Sequence, residues 1–422
     1  IEAAGMSGRK LDSIDLAFGL APRINAAGRL GQTDLAMELL LCDRQSQAME
    51  LAQQLNELNE QRKALVDHIY EEINAKIARH PEILQERVIL LYGEGWHHGV
   101  IGIAAARLVE EYSKPCVLFS IEEDQARGSA RSVEGYSIIA AISRCSSLLT
   151  RYGGHDQAAG MTVPVEHLRE FIDQMLQDAR EHFDLMPVDQ LKIDAVVDAE
   201  QLNLKTVYGM QQLRPFGCGN EQPVVAMPGC RIEAICPLSE NRHLRLKLSY
   251  QGKSFSAIYF RMSPDRFPFY IGDTVDVAAN LDVNEYNGEK SVSVKIKDVR
   301  LHGVKQDKLV VGRQYYEKYC RHEPLEEKIR EYICPQREDV AGLYRFLRQC
   351  GGFAFGYDML WCRLRGINYC KMRICIDVMQ ELGLIERARL SSSGEVALRL
   401  PDKVVKTQLD QSRILRQLKV GE

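Results

Sequence analysis

A chain of 422 residues, 45% hydrophobic and 27% charged, is long enough for about three globular domains. Its net charge of −4 excludes a uniformly basic coat for nucleic acid, so any such binding has to use local basic patches. No apolar run reaches the ~20 residues that span a bilayer, and no cleavable signal pattern opens the sequence. The twelve cysteines are scattered without a C-x-x-C pair, which reads as reduced thiols in a cytoplasmic protein. Cys320, His322 and Cys334 are the nearest approach to a metal cluster and are weak as one.

The chain opens on Ile1 rather than Met, which suggests a piece of a longer protein. Residues 18–31 pack Arg23, Asn25 and Arg29 among small residues. That composition suits close backbone approach to phosphates, and equally a helix cap with a tight turn. From Thr33 to His80 the pattern is helical. Leu51, Leu55, Leu58, Leu65, Ile69, Ile73 and Ile77 form one stripe, interrupted by Arg62. A helix from near Arg44 to Ala78 would be about 50 Å long and suits a connector. A coiled-coil seam competes with that reading, but strict heptads are missing. Pro81 marks the stop.

An α/β pattern follows, with a strand over 87–92, a helix over 99–111 and a strand over 115–120. The glycine-bounded loop between the first strand and the helix holds His97 and His98, read as hydrogen-bonding residues that order the loop. In Arg127-Gly128-Ser129-Ala130-Arg131-Ser132 two arginines and two hydroxyls fall at strand spacing, so Ser129 and Arg131 point the same way, and guanidinium matches phosphate geometry. A helix over 136–149 leads to Gly153-Gly154-His155-Asp156-Gln157-Ala158-Ala159-Gly160. Here two glycines admit a ligand, a histidine follows, and the small-residue run reads as a helix start. The two segments are predicted to close on one phosphate. A helix over 164–182 ends this region.

From about 191 to 301 the period becomes two. Leu244, Leu246 and Leu248 alternate with His243, Arg245 and Lys247, giving one apolar and one basic strand face. Asn287-Gly288 between alternating runs signals a hairpin. A small barrel is expected, whose basic face would track a single strand. Of Phe255, Tyr259, Phe260 and Tyr286, one or two are expected to be exposed. Residues 303–422 carry helical stretches over 325–332, 340–349, 359–363 and 371–381, then a hairpin over 389–400 around Ser391–Gly394. That order resembles a winged helix, with Arg363, Arg365, Lys371 and Arg373 as candidate nucleic-acid contacts or the whole as a docking domain for a partner protein.

APRINAAGR, the long helix, GWHHGVIGIAAARL, RGSARS, YGGHDQAAGM and Leu213-Arg-Pro-Phe-Gly-Cys-Gly-Asn220 together resemble, in order and spacing, the RecJ single-stranded-DNA-specific exonucleases of the DHH phosphoesterase superfamily. The resemblance is good to about residue 300 and thin beyond. It implies an α/β DHH-associated domain after a long connecting helix, then an all-β OB-fold barrel and an α+β, winged-helix-like C-terminal domain. The boundaries would be 1–32 for the end of the DHH domain, 33–80 for the connector, 81–186 for the DHH-associated domain, 187–302 for the barrel and 303–422 for the rest.

The implied activity is hydrolysis of single-stranded DNA from the 5′ end in repair and recombination, with Mn2+ or Mg2+ held by a DHH domain whose ligands are not in this sequence. This chain would therefore bind DNA without cleaving it. Ser129 and Arg131 would hold the terminal 5′ phosphate, with Arg127, Ser132 and Gly153 beside them. Gly154 and His155 would face the scissile phosphate, and Arg23, Asn25 and Arg29 would line the same cleft. The expected partners are single-stranded DNA and, as candidates, a single-strand-binding protein or a helicase, with no membrane and a monomeric state. A nucleotide- or nucleic-acid-binding regulatory module and a small-substrate DHH phosphodiesterase are the alternatives.

Overall fold

The computed structural model describes residues 1–8, 11–188, 190–353, 356–364, 366–389, 396–401 and 408–420. They form two compact units, Ile1–Asp189 with Arg313–Leu325, and Gln190–Gly312 with Glu326–Glu422.

In the first unit a single turn α1 (Ser13–Asp15) and a π-helical turn (Leu16–Leu20) lead into α2 (Ala21–Arg29). Pro22 sits in the first turn of α2, where no backbone donor is needed. α3 (Thr33–Leu41) and α4 (Gln45–Arg79) follow, so the expected helical stretch breaks at Cys42, whose backbone is extended. The 35 residues of α4 span about 52 Å. Its stripe has two consecutive partners. Leu55 and Leu58 pack with Ala26 and Ala27 of α2, whereas Val66, Ile69, Ile73 and Ile77 pack in the core beside the sheet. A stripe that serves two surfaces in turn has no reason to keep a strict heptad.

The α/β part comprises β1 (Ile89–Glu94), α5 (His98–Tyr112), β2 (Cys116–Glu122), β3 (Gln125–Arg131), α6 (Ile138–Arg144), β4 (Arg151–His155), β5 (Ala158–Pro164) and α7 (Val165–His182). The sheet order is β1-β2-β3-β5-β4, parallel only between β1 and β2. Alternation assigns the two faces. Ile89, Leu91, Cys116 and Leu118 share a core with α4 and α5, and Val117, Phe119, Ala126, Ala130, Met161 and Val163 share the other with α6 and α7.

One sequence expectation fails here: the small-residue run after His155 is a strand, joined to β4 by a turn at Asp156-Gln157. Ala159, Met161 and Val163 are buried and alternate with Ala158, Gly160 and Thr162. That is a period of two, and glycine weakens a helix interior.

In the second unit β6 (Ala195–Val196) and α8 (Leu204–Gln211) precede β7 (Val225–Leu238), β8 (His243–Tyr250), β9 (Lys253–Tyr259), β10 (Thr274–Tyr286) and β11 (Glu289–Leu301). The order β7-β8-β9-β11-β10 closes because β10 pairs back onto β7, and β9 and β11 run parallel. This is the closed five-stranded barrel of OB folds. Asn287 and Gly288, at φ 51° and 80°, make the tight turn between β10 and β11 that a right-twisted hairpin requires. Leu244, Leu246, Leu248, Val275, Val277, Ala279 and Leu281 fill the barrel.

Beyond the barrel lie α9 (Gln306–Cys320), α10 (Glu327–Ile333), α11 (Arg337–Cys350), α12 (Tyr357–Arg363), α13 (Tyr369–Glu381), the hairpin β12 (Glu386–Arg389) and β13 (Val396–Arg399), and α14 (Arg413–Val420). Phe353, between α11 and α12, bridges Leu398 of β13, which completes the helix, strand, helix, helix, hairpin order of a winged helix. Residues 391–394 of the expected hairpin turn lie outside the described residues. α9 was not legible in the sequence, because charged and aromatic side chains blur its apolar period, and α14 is amphipathic but only eight residues long.

Candidate phosphate-binding face

The pairing register of β3, β5 and β4 builds the site. Three rungs cross these strands on one face: Arg127–Thr162–Arg151, Ser129–Gly160–Gly153 and Arg131–Ala158–His155. Directly paired residues project to the same side, and successive rungs lie about 6.8 Å apart along the strands. The face is therefore a floor of Gly153, Gly160 and Ala158 bounded by basic side chains at both ends. A Cβ on Gly153 would meet nothing within 4 Å, so the floor is open there. Gly154 points the other way. A Cβ on it would lie 2.3 Å from the Ala158 carbonyl oxygen, so this glycine permits close strand packing rather than presenting a side to a ligand.

His155 is held by its own turn. The Gln157 backbone N–H donates to His155 Nδ1 at 3.3 Å, which leaves Nε2 to carry the proton of the neutral ring and to donate outward. The turn is in turn pinned. Ser132 N donates to the Gln157 carbonyl at 3.0 Å, Ile138 N to the Asp156 carbonyl at 3.1 Å, and Ser137 Oγ to Asp156 Oδ1 at 2.5 Å. Ser132 itself departs from the sequence reading. It is buried and its Oγ donates to the Tyr136 carbonyl at 2.6 Å, so it orders the loop and faces away from Ser129 and Arg131.

The other side of the face is walled by α5 and α2. Arg131 Nη1 donates to Ser129 Oγ at 3.3 Å and to the Ala130 carbonyl at 2.7 Å. A Cβ on Gly102 of α5 would lie 2.7 Å from Ser129 Oγ and 2.9 Å from Arg131 Nη2, so glycine at this position makes room for the pair. Arg29 Nη1 donates to the Gly99 carbonyl at 3.0 Å. Burial lowers the Arg131 pKa, and the like charge of Arg29 lowers it further. The same two causes, in the same order, act on Arg62 of α4. Arg29 of α2 thus acts as a like charge on one arginine of β3 and one of α4. Asn25 is exposed beside them in sequence, whereas Arg23 is turned elsewhere, bound to Asn56 Oδ1 at 2.5 Å and to the Gly19 carbonyl.

His97 caps α5 by accepting from Gly99 N at 3.1 Å, and His98 Nδ1 lies 2.9 Å from Glu122 Oε1. Glu122 also pairs with Arg127 at 3.4 Å, so Arg127 brings only part of its charge to the face. Arg151 was missed in the sequence. It is exposed, directly beside the glycine pair, and its partnership with Thr162 and Arg127 becomes visible only once the strand register is known.

On the barrel, the basic alternation of β8 is less free than its sequence. Lys247 pairs with Glu233 at 3.2 Å, and His243 Nδ1 accepts from the Arg261 backbone at 2.9 Å. Arg245 is exposed. Phe260 and Tyr286 are exposed, while Phe255 and Tyr259 pack against the core. In the winged-helix region α13 is buried over most of its length. Lys371 pairs with Asp339 at 3.5 Å, Arg373 lies over the Tyr357 ring at 3.6 Å, and Arg363 binds Asp273 at 2.7 Å. These three are structural cations in the second unit, and Arg365 lies outside the described residues.

Among the described residues no group of three or more His, Cys, Asp or Glu side chains is placed to hold a metal ion. Cys320, His322 and Cys334 form no such site, and the donor set does not fit a two-metal centre. No described helix is long and apolar enough to cross a membrane.

Residues 85–181 match the DHHA1 domain family and residues 193–298 the RecJ OB domain family. A long helix, a DHHA1 domain with a basic, glycine-paved face and an OB barrel, in that order, define a DHHA1–OB protein. The chain carries a DHHA1 domain and a RecJ OB domain and is related to the RecJ proteins. It is 31% identical over 299 residues to the single-stranded-DNA-specific exonuclease RecJ of Thermus thermophilus, covering 71% of this chain and 41% of that protein. It is 29% identical over 289 residues to the Bacillus subtilis protein of the same name, covering 67% and 36%. The crystal structure of Thermus thermophilus RecJ in complex with Mg2+ superposes with a TM-score of 0.60 at 28% identity, over 72% of this chain and 46% of that one. A second crystal structure of that protein contains Mn2+. The chain thus spans well under two thirds of the length of these relatives.

Proposed function

We propose that these residues form the strand-holding part of a 5′-to-3′ single-stranded-DNA exonuclease working in DNA repair and recombination in the cytoplasm. The observation that supports this reading most strongly is the set of three rungs, in which arginines and a proton-donating histidine border a floor of glycine and alanine. A floor without side chains admits a sugar–phosphate backbone, and guanidinium groups at its borders meet phosphate oxygens without reading bases. Ser129 and Arg131 take a terminal phosphate, His155 Nε2 donates to a non-bridging oxygen of the next one, and Arg151 with Arg127 hold the strand at the far rung. On the barrel, taken by itself, Arg245, Phe260 and Tyr286 meet a strand through charge and stacking.

The chemistry assigned to this chain is binding and orientation. Attack of water on a phosphodiester calls for metal ions that lower the water's pKa and stabilise the departing oxygen, and the described residues offer no ligand set for them. In this reading Mn2+ or Mg2+ serves the whole nuclease from ligands outside these residues, as the metal-bound RecJ structures suggest. A single-strand-binding protein or a helicase is the proposed kind of protein partner, and the protein acts as a monomer.

The test is a filter-binding measurement with labelled single strands beside a nuclease assay on the same preparation, over a range of Mn2+ and Mg2+ concentrations. The expected result is salt-sensitive binding without release of nucleotides. Metal-dependent release from the 5′ end that is lost in His155→Ala protein would reveal a metal site within these residues. Absence of strand binding would favour a nucleotide-binding module instead.

A further inference from the structure

Within the second unit a cleft of about 1230 Å³ opens between the segment that follows β11 and the turn from α11 to α12. Its wall is aromatic and fixed. Phe353 exchanges backbone hydrogen bonds with Leu398 at 2.9 and 2.8 Å, and its ring lies 6.3 Å from that of Phe346. The Trp361 indole donates its Nε1–H to the Ile367 carbonyl at 2.8 Å. Tyr270 is 47% exposed, with the Arg363 guanidinium 4.6 Å from its ring. Two basic groups at the cleft already have carboxylates, Arg363 with Asp273 at 2.7 Å and His302 with Asp276 at 2.5 Å. Lys305, Lys308 and Arg399 are exposed at the same cleft and pair with no described carboxylate. No Asp or Glu is among the described residues that line it, although acids outnumber Lys and Arg by 58 to 54 in the chain.

An exposed lysine is ordinarily just solvated, and a crevice between packed elements ordinarily holds water. Three cations without counter-charge around an aromatic wall, in a lining free of carboxylates, are a more selective combination. They complement an anion that carries flat rings. We propose that this cleft holds a short internal stretch of a DNA single strand, with bases against Trp361 and Tyr270 and phosphates against Lys305, Lys308 and Arg399. A site for one small molecule is about 300–1,000 Å³, so the volume suits a few linked nucleotides better than one. Stacking on an aromatic ring tolerates every base, and contacts to phosphates carry no sequence information, so the cleft grips a strand whatever its sequence. It lies apart from the face built by β3, β5 and β4, and it asks for no terminal phosphate. The choice of a DNA strand as occupant rests on the function proposed above. The cleft gives the region beyond the barrel a part in holding that strand.

Tryptophan fluorescence reads this cleft directly. Of the two tryptophans, Trp361 lines the cleft and Trp96 is buried in the other unit at 2% exposure. The protein is titrated, with a metal chelator present, with a short oligothymidylate lacking terminal phosphates, an abasic oligomer of the same charge and a glutamate peptide of the same charge. Anisotropy of a labelled oligothymidylate reports strand binding anywhere on the protein. The oligothymidylate is expected to quench the fluorescence, and the quench is absent in Trp361→Phe protein. The abasic oligomer binds at least about fivefold more weakly, the lower end of what a stacked base contributes. Replacing Lys305, Lys308 and Arg399 together by Gln shallows the slope of log affinity against log salt by about two, at ~0.7 per phosphate contact of a single strand. The melting temperature is unchanged, and Lys328→Gln, an exposed cation outside the cleft, leaves the slope as it is. Strand binding by anisotropy without a Trp361 quench overturns the cleft and leaves the proposed function standing. Equal quenching by the abasic oligomer or the glutamate peptide makes the cleft a general anion site and overturns its assignment to a strand. No strand binding by either measurement overturns both.

Discussion

Two clusters of basic side chains occupy the same α/β unit and are built in opposite ways. In the first, Arg87 donates to Glu323 at 2.5 and 2.8 Å and to the Phe183 carbonyl at 3.0 Å, and Arg321 binds the same carboxylate at 2.7 Å. Lys114 there contacts Glu317 at 2.9 Å and the carbonyls of Leu84 and Glu86. In the second group Arg29 acts as a like charge on both Arg62 and Arg131, and among the described residues the hydrogen-bond partners of the three are backbone carbonyls, Ser129 and Asn59. The charge type is the same, but the counter-charge is supplied by the fold in one case and withheld in the other. Cations with built-in carboxylates fasten residues 313–325 to their unit, and cations without them are the ones proposed to take an anion from outside. Composition alone cannot separate the two, since each is a few arginines in a chain of slightly negative net charge.

The comparison is broken most strongly by removing charge from the open cluster. In nuclease-competent protein, Arg131→Ala and His155→Ala are each expected to lower cleavage by about 10²- to 10³-fold, the usual loss when a preorganised donor aimed at a phosphate is removed. Cleavage rates with an unchanged circular-dichroism spectrum are the check, and wild-type rates in both variants would show the pocket to be misassigned.

In the closed cluster the effect is on stability instead. Burial alone would raise the Glu323 pKa, but hydrogen bonds from Arg87 and Arg321 overcome it and hold the group at about 2, against an ordinary 4.5. A carboxylate depressed in the folded state contributes stability above its unfolded pKa and loses it as pH falls through the folded value. The contribution, on the order of 3 kcal/mol, is therefore present above about pH 4.5 and lost towards pH 2. Denaturant melts of wild type and Glu323→Gln should differ by about that amount at pH 7 and converge in acid. Arg87→Ala, which strands the buried carboxylate, should cost about 3–5 kcal/mol at pH 7. Strand binding by folded Glu323→Gln protein should be unaffected, and a parallel loss of binding would blur the distinction between the clusters.

The architecture was legible in the sequence because its periods are long and regular: the α4 stripe, the Leu244–Leu248 alternation and the Asn287-Gly288 turn. The site was legible in its residue types and less so in its geometry. Ser129 and Arg131 share a face because they are two apart on a strand, which spacing alone predicts. Gly153, Arg151 and Arg127 are brought together by strand pairing, and no local pattern reveals a register. Ser132, Lys247 and Arg23 look like phosphate ligands in sequence, but each has found a partner inside the fold, in the Tyr136 carbonyl, Glu233 and Asn56. Arg62 shows the converse. As an interruption in an apolar stripe it looks like a defect, and the fold shows it bound to Asn59 with its buried Nε unpartnered.

A smaller effect sharpens the comparison on the exposed surface. Arg151→Gln and Arg245→Gln should each shallow the slope of log affinity against log salt by about one, because each lost phosphate contact releases one counterion fewer. Lys247→Gln should change the slope less, since Glu233 already neutralises it. Titrations of a single strand at four or five salt concentrations would resolve this, and equal slopes in all three variants would assign those side chains to solvent.

The central claim is that the unneutralised arginines of the α/β unit hold the phosphate end of a single strand. A crystal structure of the protein with a short 5′-phosphorylated oligonucleotide tests it most directly. The account predicts the terminal phosphate within hydrogen-bond reach of Ser129 Oγ and the Arg131 guanidinium, with the backbone passing over Gly153 and Gly160 towards Arg151. A strand bound only along the barrel, with its phosphate end away from Ser129 and Arg131, would contradict it.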